Sequence, residues 1–460
     1  MKITEEYKGK NFAVLGLGKS GISAIRYLKN KGANVLAWDD NESILSESCN
    51  SKFNLCDLAK IDFKNISSLV LSPGIPQNFP TPHPVVKRAK SAGCEVIGDI
   101  ELFFRSQIQA KVIGITGTNG KSTTTALLSH VLKENSIKIQ TGGNIGTPVL
   151  SLERIDSNGV YILEISSYQL DLSNTNNFDF AILLNIQPDH LDRHGSIENY
   201  SQIKSKIFNF NQREPFCVIG VDDSYTKKIY SDLDEKGKKI VPVSVKRKLQ
   251  NGISIVNGMM IDSRFSENNI IDFNVFKNLR GPHNWQNAAA VYVISKEIGL
   301  SNSKIEKSFS TFMGLPHRLE IVYRDSSIEY INDSKATNLF ATSHALKSFK
   351  SIYWILGGKS KGEKLDFLFP FLQEVQHAFT IGESGKVFAE ELAGKINVSY
   401  EVSVEKALKS ALQIISKNKI KNSVILFSPG CSSFDQFSNF EERGDRFKEL
   451  VLSHLGKKYA

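Results

Sequence analysis

The chain has 460 residues, a length that predicts about three domains at roughly 100 to 200 residues each. Its 41% apolar and 23% charged residues are typical of a globular protein and exclude a disordered chain, a collagen and a coiled coil. No apolar run approaches the roughly 18 to 20 residues that cross a bilayer, and no secretory signal precedes the first strand. The five scattered cysteines favour reduced thiols in a cytoplasmic protein, whereas the net charge of +9 does not identify a partner.

Short apolar strands alternate with amphipathic helices along the chain, which predicts α/β domains built on mostly parallel sheets. In the first stretch, 1–99, a helix with one apolar face is predicted to end near Gly32. Strands are predicted in this stretch over 11–18, 34–40 and 67–75.

Two further stretches, 100–314 and 315–460, continue the alternation of strands and helices. The second stretch contains a strand, a glycine-rich loop and a helix over 111–135. Its turn-rich part, 217–276, favours an antiparallel β insertion or an irregular region. The other predicted strands are 161–166 and 180–186 in the second stretch and 327–333, 351–358, 377–382 and 422–430 in the third.

The first candidate site is the segment GLGKSG at 16–21, which follows a strand and opens a helix. Asp39 or Asp40 ends the next predicted strand. Glycines in this pattern let backbone amides approach a diphosphate at the positive end of the helix. The segment therefore predicts a dinucleotide or nucleotide-diphosphate site, and a tight turn without a ligand is the alternative.

The second candidate site is GITGTNGKST at 114–123, again between a strand and a helix. It is similar to a phosphate-binding P-loop, although isoleucine replaces the first glycine of that pattern. We expect the amides of this loop to face phosphates and Lys121 to supply a cation for the β- and γ-phosphates. Ser122 or Thr123 supplies a hydroxyl group for Mg²⁺.

Two side chains that follow later strands are candidate metal ligands. Glu164 lies at the end of one predicted strand and His190 lies just past the next. A carboxylate at a strand end near a P-loop commonly holds Mg²⁺, whereas histidine is a less usual ligand for this hard cation. A surface carboxylate and a loop hydrogen-bonding group are the alternative interpretations.

Polar segments further along the chain offer contacts for a ligand. Arg318 and Lys335 are cations near a predicted domain junction, and Asp333 can orient one of them through an ion pair. Helix caps, surface pairs and a turn at the end of a sheet are the alternatives. These segments are 281–287, 314–320, 331–338 and 428–444.

Taken together, the motifs resemble those of the Mur ligases, the ATP-dependent amide-forming enzymes of peptidoglycan synthesis. GDIELF, DSKATN and the C-terminal DQFSNFEERG segment are most similar to motifs of the members that add D-glutamate. The motifs that carry the resemblance are GLGKSG (16–21), SPGI (72–75), GDIELF (98–103), GTNGKST (117–123), GGNIG (142–146), EISSYQL (164–170), HNWQN (283–287), GLPHR (314–318), NDSKATN (332–338), LGG (356–358) and DQFSNFEERG (435–444).

The resemblance implies three α/β domains. A Rossmann-like domain, 1–99, would bind the UDP part of the substrate, so that GLGKSG would hold a UDP diphosphate. A central P-loop-type ATPase domain with a parallel sheet, 100–314, would bind ATP. A C-terminal Rossmann-like domain, 315–460, would bind the incoming amino acid.

The implied reaction joins D-glutamate to UDP-N-acetylmuramoyl-L-alanine in the cytoplasm through an acyl phosphate. Phosphorylation suits this chemistry because it removes the charge that makes a carboxylate a poor electrophile, while Mg²⁺ and lysine stabilise the charge that develops. The resemblance implies that Lys121 binds the β- and γ-phosphates and that Ser122 and Glu164 hold one Mg²⁺. His190 and a carbamylated lysine hold a second Mg²⁺. That lysine aligns with Lys204, and the nearby Lys206 is the alternative.

The remaining site residues follow from the same resemblance, motif by motif. Those for ATP are Gly117, Thr118, Asn119, Gly120, Lys121, Ser122, Thr123, Asn284, Asn287, Arg318, Asp333 and Lys335. Those for the UDP substrate are Gly18, Lys19, Ser20, Gly21, Asp39, Ser72, Asn144 and His190, and those for D-glutamate are Thr337, Lys361 (with Lys359 as the alternative), Ser433 and Phe440. Asp40-Asn41 replaces the Thr-Arg of many relatives, which leaves the uracil contacts open.

Other functions compete with this interpretation. Another Mur-type or folylpolyglutamate-type amino-acid ligase would use the same loop. A nucleotide-binding regulator would keep the loop without turnover, and an NAD-dependent oxidoreductase would leave 117–123 unexplained. A nucleic-acid-binding protein is the least favoured, because the lysines of 227–248 are more typical of a solvated face. We expect a monomer without a nucleic-acid or membrane partner.

Overall fold

The computed structural model describes residues 6–49, 53–106, 108–210, 214–265, 269–360, 362, 364–418 and 422–457. Within these residues the strands form three sheets, of five, nine and six strands. The chain divides into two compact units, Met1–Ser310 and Thr311–Ala460. No helix in the described part combines the length and the apolar character needed to cross a bilayer. The predicted α/β class is confirmed.

The first sheet has the strand order β3-β2-β1-β4-β5 and is parallel throughout. Its strands are β1 (Asn11–Leu15), β2 (Asn34–Trp38), β3 (Asn54–Leu55), β4 (Ser68–Leu71) and β5 (Glu95–Ile97). Its helices are α1 (Lys19–Asn30), α2 (Glu42–Cys49), α3 (Pro84–Ser91) and α4 (Asp99–Arg105). Alternate residues of β1 pack into separate cores on the two faces, Phe12 and Val14 on one side and Ala13 and Leu15 on the other. Apolar residues on both faces explain why the strand reads as a continuous apolar run.

The central sheet has the order β14-β13-β12-β11-β10-β9-β6-β8-β7. Its strands are β6 (Lys111–Thr116), β7 (Ile139–Gly143), β8 (Val160–Glu164), β9 (Phe180–Leu183), β10 (Phe216–Gly220), β11 (Ile240–Ser244), β12 (Ile253–Val256), β13 (Met259–Asp262) and β14 (Asn269–Asp272). The helices are α5 (Lys121–Glu134), α6 (Ser167–Asp171), α7 (Leu191–His194), α8 (Ile197–Ser205), α9 (Ser224–Asp234), α10 (Pro282–Glu297) and α11 (Asn302–Thr311).

The stretch 217–276 differs in part from the prediction. Among the described residues of this stretch, antiparallel pairing joins β12 to β13 and β13 to β14. β10 and β11 instead extend the sheet in parallel, with α9 between them. Asp223 starts α9 by accepting a hydrogen bond from the Thr226 amide at 2.8 Å, so a polar cap within the turn-rich sequence marks a βαβ unit.

The third sheet, in the second unit, has the order β15-β16-β20-β17-β18-β19. Its strands are β15 (Glu320–Arg324), β16 (Ile328–Asn332), β17 (Ile352–Gly357), β18 (Val375–Ile381), β19 (Val398–Val402) and β20 (Ser423–Phe427). Its helices are α12 (Leu339–Ser348), α13 (Gly385–Leu392), α14 (Val404–Lys417) and α15 (Phe440–His454). Neighbouring residues of β17 alternate between two cores, since Trp354 packs on one face and Tyr353 on the other.

Parallel pairing gathers the carboxyl ends of the central strands at one edge of their sheet. β6 and β8 pair with Ile115 opposite Glu164, and β6 and β9 pair with Thr116 opposite Leu183. The loops that follow these strands therefore lie side by side, which is where open α/β sheets bind ligands.

Candidate active site

The segment GLGKSG forms the turn between β1 and α1. Gly16 has φ +96° and donates its amide hydrogen to Trp38 O at 2.8 Å. A Cβ at Gly21 would overlap the Gly16 carbonyl oxygen, so the helix can approach the strand only with glycine there. Gly18 is the N-cap of α1, and a Cβ built on it meets nothing within 4 Å. The loop is therefore closely packed at Gly21 and has open space at the N-terminus of α1, as a diphosphate site requires.

Asp39 and Ser72, both predicted UDP-substrate contacts, bond to this turn. Asp39 Oδ2 accepts from the Leu17 amide at 2.7 Å, and Ser72 Oγ donates to Gly16 O at 2.9 Å. Each side chain fixes the position of the loop. Lys19 and Ser20 occupy the first turn of α1.

The P-loop joins β6 to α5. Gly120, the N-cap of α5, has φ +86°, and a Cβ there would overlap Asn287 Oδ1. Helix α10 thus brings Asn287 against the loop, and both residues are predicted ATP contacts. Asn284 lies one turn earlier on α10 and donates its Nδ2 to Arg280 O at 3.1 Å.

Residues Thr118 and Asn119 of this loop hydrogen-bond to two residues that the sequence did not single out. Asn185 O accepts from the Thr118 amide and Asn185 Oδ1 from the Asn119 amide, both at 2.9 Å. Gln187 Oε1 accepts from Asn119 Nδ2 at 2.9 Å. Both residues follow β9, and their place beyond a strand adjacent to the P-loop strand is the signal that could have identified them.

Two lysines converge on the first carbonyl group of the loop. Lys121 Nζ donates to Gly117 O and Thr118 O, each at 2.8 Å. Lys204 Nζ, on α8, donates to the same Gly117 O at 3.0 Å and to Thr116 Oγ1 at 3.3 Å. Burial, and next the charge of Lys121, hold the pKa of Lys204 well below its usual value.

The buried position distinguishes Lys204 from its neighbour Lys206. The Lys204 side chain is 1% exposed, whereas Lys206 is a third exposed and its Nζ lies 3.6 Å from Asp171 Oδ1. Only Lys204 of the two contacts the P-loop in the described structure. Its lowered pKa favours a neutral amine, which is the nucleophilic form of a lysine.

Glu164 ends β8 beside the P-loop and is 1% exposed. Its Oε1 accepts from Asn144 Nδ2 at 2.8 Å. Its Oε2 is buried and has no hydrogen-bond partner among the described residues. A buried carboxylate oxygen without a partner is costly, and a divalent cation would satisfy it. Buried Ser122, in the first turn of α5, adds a hydroxyl group of the kind that Mg²⁺ accepts.

The donor set therefore fits Mg²⁺, although no group of three or more His, Cys, Asp and Glu side chains within the described ranges could hold a metal alone. Mg²⁺ commonly takes only one or two carboxylates and completes its shell with water and substrate phosphates. A site of this kind needs the nucleotide to be complete.

Predicted ligand His190 is exposed, in a left-handed conformation with φ +52°. Its ring lies 5.0 Å from that of Tyr168, and its Nε2 lies 3.5 Å from Asp189 Oδ2. The buried histidine of this segment is His194, whose Nε2 lies 3.0 Å from Ser167 Oγ and whose ring stacks on Tyr168. Burial lowers the pKa of His194 to about 4, so it is a neutral packing element.

In the second unit, Asp333 follows β16 and is fully enclosed. It accepts from Ser428 Oγ at 2.7 Å and from the Leu319 amide at 3.2 Å. Burial raises the pKa of Asp333 to about 7, against the opposing effects of these donors and of the charge of Arg318. Predicted ATP contacts Asp333 and Arg318 are thus electrostatically coupled.

Among the other predicted residues of this unit, Lys335 lies beside Phe440, the first residue of α15. Lys335 Nζ lies 5.5 Å from the ring centroid of Phe440, and Ser334 Oγ donates to Phe440 O at 2.8 Å. Thr337 donates its amide to Lys335 O at 2.9 Å, and Ser433 is buried. Lys361 lies outside the described residues. Its alternative, Lys359, exchanges backbone hydrogen bonds with Ser432.

Arg443 joins the loops of this unit and was not among the predicted site residues. Its buried guanidinium group donates to Ser334 O at 2.8 Å and Cys431 O at 3.0 Å. Burial lowers the pKa of Arg443 to about 10. Its position within the NFEERG segment is the signal that could have identified it, because the residue aligns the loops that follow β16 and β20.

Comparisons with known proteins identify the family of the chain. The family model described as Mur ligase middle domain matches residues 115–295, and the Mur ligase MurD-like N-terminal domain matches 10–98. The UDP-N-acetylmuramoylalanine--D-glutamate ligase of Paramagnetospirillum magneticum is 41% identical over 96% of this chain and 96% of its own. The enzyme of the same name from Nitrobacter winogradskyi is 43% identical over 98% of both chains.

Solved structures share the fold. The UDP-N-acetylmuramate-alanine ligase MurC of Thermotoga maritima superposes with a TM-score of 0.57 at 17% identity, over 97% of this chain and 99% of its own. A pseudomurein peptide ligase type C from Methanothermus fervidus gives a TM-score of 0.56 at 18% identity, over 97% of this chain and all of its own. With near-full-length relatives and two matching family models, the chain belongs to the Mur ligase family of ATP-dependent ligases.

Proposed function

We propose that this chain joins D-glutamate to UDP-N-acetylmuramoyl-L-alanine at the expense of ATP, in the synthesis of peptidoglycan precursors in the cytoplasm. The substrates are those in the names of relatives that match nearly the whole chain. The observation that carries the chemistry is the convergence of Lys121 and the buried Lys204 on one P-loop carbonyl group, beside a strand that ends in Glu164.

The reaction begins at the carboxylate of the muramoyl-alanine substrate. The negative charge of this group repels an amine, so transfer of the γ-phosphoryl group of ATP first converts it to an acyl phosphate. The D-glutamate amine then attacks the acyl carbon, and phosphate leaves from the tetrahedral intermediate. Negative charge grows in both steps, and Lys121 is the cation that lies at the P-loop to stabilise it.

The metal sites follow from the same residues. Ser122 and Glu164 would hold one Mg²⁺, and His190 and Lys204 would hold a second. Bound Mg²⁺ would supply positive charge to the phosphate oxygens. Asn144 orients Glu164 through its 2.8 Å hydrogen bond, and Asn287 contacts the loop at Gly120, where it would meet the nucleotide.

Carbamylation would convert Lys204 into an anionic ligand. An ammonium group would be repelled by Mg²⁺, whereas a carbamate offers two oxygen donors. The burial and lowered pKa of Lys204 support this proposal, since only a neutral amine adds CO₂. K204A should lose activity and regain part of it with acetate, while the matched variant K206A should stay active. Unimpaired turnover by K204A would refute the assignment.

We propose a separate ligand for each of the three predicted domains. Residues 1–99 would bind UDP, 100–314 would bind ATP and 315–460 would bind D-glutamate. Contacts to the UDP substrate would come from 18–21, Asp39, Ser72, Asn144 and His190. The D-glutamate pocket would use Thr337, Lys361, Ser433 and Phe440.

The decisive experiment measures phosphate release from ATP and Mg²⁺ with UDP-N-acetylmuramoyl-L-alanine and either D- or L-glutamate. We expect release only with the D enantiomer. A second arm offers other amino acids and a folate acceptor, because another Mur-type or folylpolyglutamate-type ligase would use them. Turnover with L-glutamate or a folate, but not with D-glutamate, would overturn the proposal.

A further inference from the structure

Thr118 and Asn119 form a short part of the P-loop between two glycines that have positive φ. Gly117 has φ +155° and Gly120 has φ +86°, and glycine adopts more backbone conformations than any other residue. Helix α5, whose first backbone amides would meet phosphates, begins directly after this part of the loop. A fixed position for the two residues therefore depends on contacts from outside the loop.

Asn185 supplies such contacts to both residues. Its backbone oxygen accepts from the Thr118 amide at 2.9 Å, its Oδ1 accepts from the Asn119 amide at 2.9 Å, and its Nδ2 donates to Asn119 O at 3.2 Å. One side-chain amide thus satisfies the N–H and the C=O of Asn119 together, as a residue of a paired strand would. The contact follows from the pairing of β9 with β6, because Leu183, two residues before Asn185, lies opposite Thr116.

A neighbouring amide fixes the direction in which the Asn185 side chain points. Gln286 Oε1 accepts from Asn185 Nδ2 at 3.2 Å, and Gln286 Nε2 donates to Asp222 Oδ2 at 3.5 Å. Asp222 Oδ2 also accepts from the Val245 amide at 2.8 Å, so this oxygen is an acceptor and the nitrogen of Gln286 faces it. The oxygen of Gln286 is therefore turned towards Asn185, whose own oxygen is turned towards the Asn119 amide.

Asn135 makes comparable side-chain contacts at the other end of α5. It is the C-cap of this helix and, like Asn185, is half-buried. Its Nδ2 donates to Val131 O at 2.8 Å and to Ser308 Oγ at 3.2 Å. A helix of 14 residues is about 20 Å long, so Asn135 stabilises the helix end at a distance from the phosphate loop.

We infer that Asn185 is a positioning residue for the nucleotide, which fixes the P-loop backbone so that Lys121 and the start of α5 meet the phosphates together. Lys121 donates to Gly117 O and Thr118 O, so its ammonium group depends on the same backbone. A loop that is already ordered loses no binding energy to ordering when the ligand arrives. The inference rests on the proposed assignment of this loop to ATP.

The variant N185L tests this role, because leucine nearly preserves the size of the side chain but removes its donor and its acceptor. We expect the Kd for MgADP, measured by calorimetry, to rise about tenfold, the effect of one or two lost hydrogen bonds. The KM for ATP should rise with it, whereas the KM for the uridine-containing substrate should stay unchanged. The matched control N135L should lower the melting temperature and leave both nucleotide values as in the wild type.

Amide hydrogen exchange gives a readout that needs no ligand. In N185L the segment 116–121 should exchange faster, as resolved by peptide mass spectrometry, while the rest of α5 keeps its wild-type rates. Wild-type exchange in this segment, or a rise spread evenly over the central sheet, would overturn the inference. N185A removes the same side-chain contacts without adding an apolar group, so it must show the same changes and replaces N185L if that variant does not fold.

The variant Q286L tests the route through which the side chains act. It removes the acceptor that orients Asn185 Nδ2, so we expect a smaller rise in the Kd for MgADP. Because Gln286 contacts the loop through Asn185, the double variant N185L/Q286L should bind MgADP no more weakly than N185L. Losses that add in the double variant would overturn this route.

The same measurements separate the inference from the proposed function. MgADP binding and amide exchange require neither an amino acid nor the uridine-containing substrate. A wild-type chain that binds MgADP but does not use D-glutamate would overturn the proposed function alone. Wild-type affinity for MgADP in both N185L and N185A would overturn only the inference.

Discussion

At the scale of single residues, the proposed role of Glu164 in metal binding can be tested through its side-chain oxygen Oε2. It is buried without a partner among the described residues, so a bound cation should satisfy it. We expect E164Q to lower kcat at least about 100-fold, since even groups behind a metal ligand are worth 10- to 100-fold, and to raise the Mg²⁺ concentration for half-maximal activity. Phosphate release titrated with Mg²⁺ measures both effects. The exposed Glu153 supplies the matched control E153Q, and equal behaviour of the two variants would contradict the assignment.

Burial of His194 predicts acid sensitivity. Its pKa falls from 6.5 to about 4 in the folded protein, so between these values the unfolded state binds more protons than the folded state. The free energy of unfolding should therefore drop as the pH falls from 7 to 4.5, by about 2 kcal/mol from this group. Urea unfolding at the two pH values measures it.

The variant H194Q should flatten this acid dependence, and H454Q, at an exposed histidine, should not. An unchanged pH dependence in H194Q would exclude His194 as the source.

The sequence motifs predict the kind of chemistry more readily than they predict which residues meet in the folded site. Lys121 follows from its place in the P-loop pattern, whereas our proposal of Lys204 over Lys206 depends on the tertiary structure, because only the burial of the side chain separates the two. Asn185 was missed, since its position beyond β9 becomes informative only once β9 is known to pair with the P-loop strand β6.

At the scale of elements, the P-loop packs closely against α10 because Gly120 has no side chain. G120A combines an unfavourable positive φ, which costs about 1 to 2 kcal/mol, with overlap on Asn287. We expect weaker ATP binding and lower stability, measured by calorimetry and urea unfolding.

Gly237 is the matched control for this substitution. It has φ +69° and open space around it, so G237A carries only the backbone cost and should bind ATP normally. Equal losses of ATP binding in G120A and G237A would show that contact with Asn287 is unimportant.

Strands buried on both faces were predictable, and edge strands were not. β6 and β17 read as apolar runs between turn residues. β19 was missed because Tyr400 and Val402 are exposed at the sheet edge and the strand lacks such a run. The parallel strand β11 was read as part of an antiparallel insertion, because pairing direction depends on the intervening α9, whose polar sequence resembles a loop.

At the scale of the whole molecule, the second compact unit has its own sheet with an apolar core on each face. We therefore expect residues 311–460 to fold as an isolated fragment. Trp354, the only tryptophan in this range, is buried and donates its Nε1 to Ser428 O at 2.9 Å. Its fluorescence should shift to longer wavelength in one cooperative step on urea unfolding. A gradual shift, or emission already typical of exposed tryptophan in buffer, would contradict independent folding.

The bonds of Lys121 to its own loop have a consequence for ligand discrimination. Its ammonium group already donates to two backbone carbonyl groups. A neutral ligand would therefore replace these hydrogen bonds with others of similar strength. Hydrogen bonds between ionised partners are roughly twice as strong as neutral ones, and a chain of phosphates presents several negative oxygens at once. The loop should therefore select ligands by their negative charge. It should favour nucleotides with long phosphate chains over nucleosides and monophosphates, whatever base they carry.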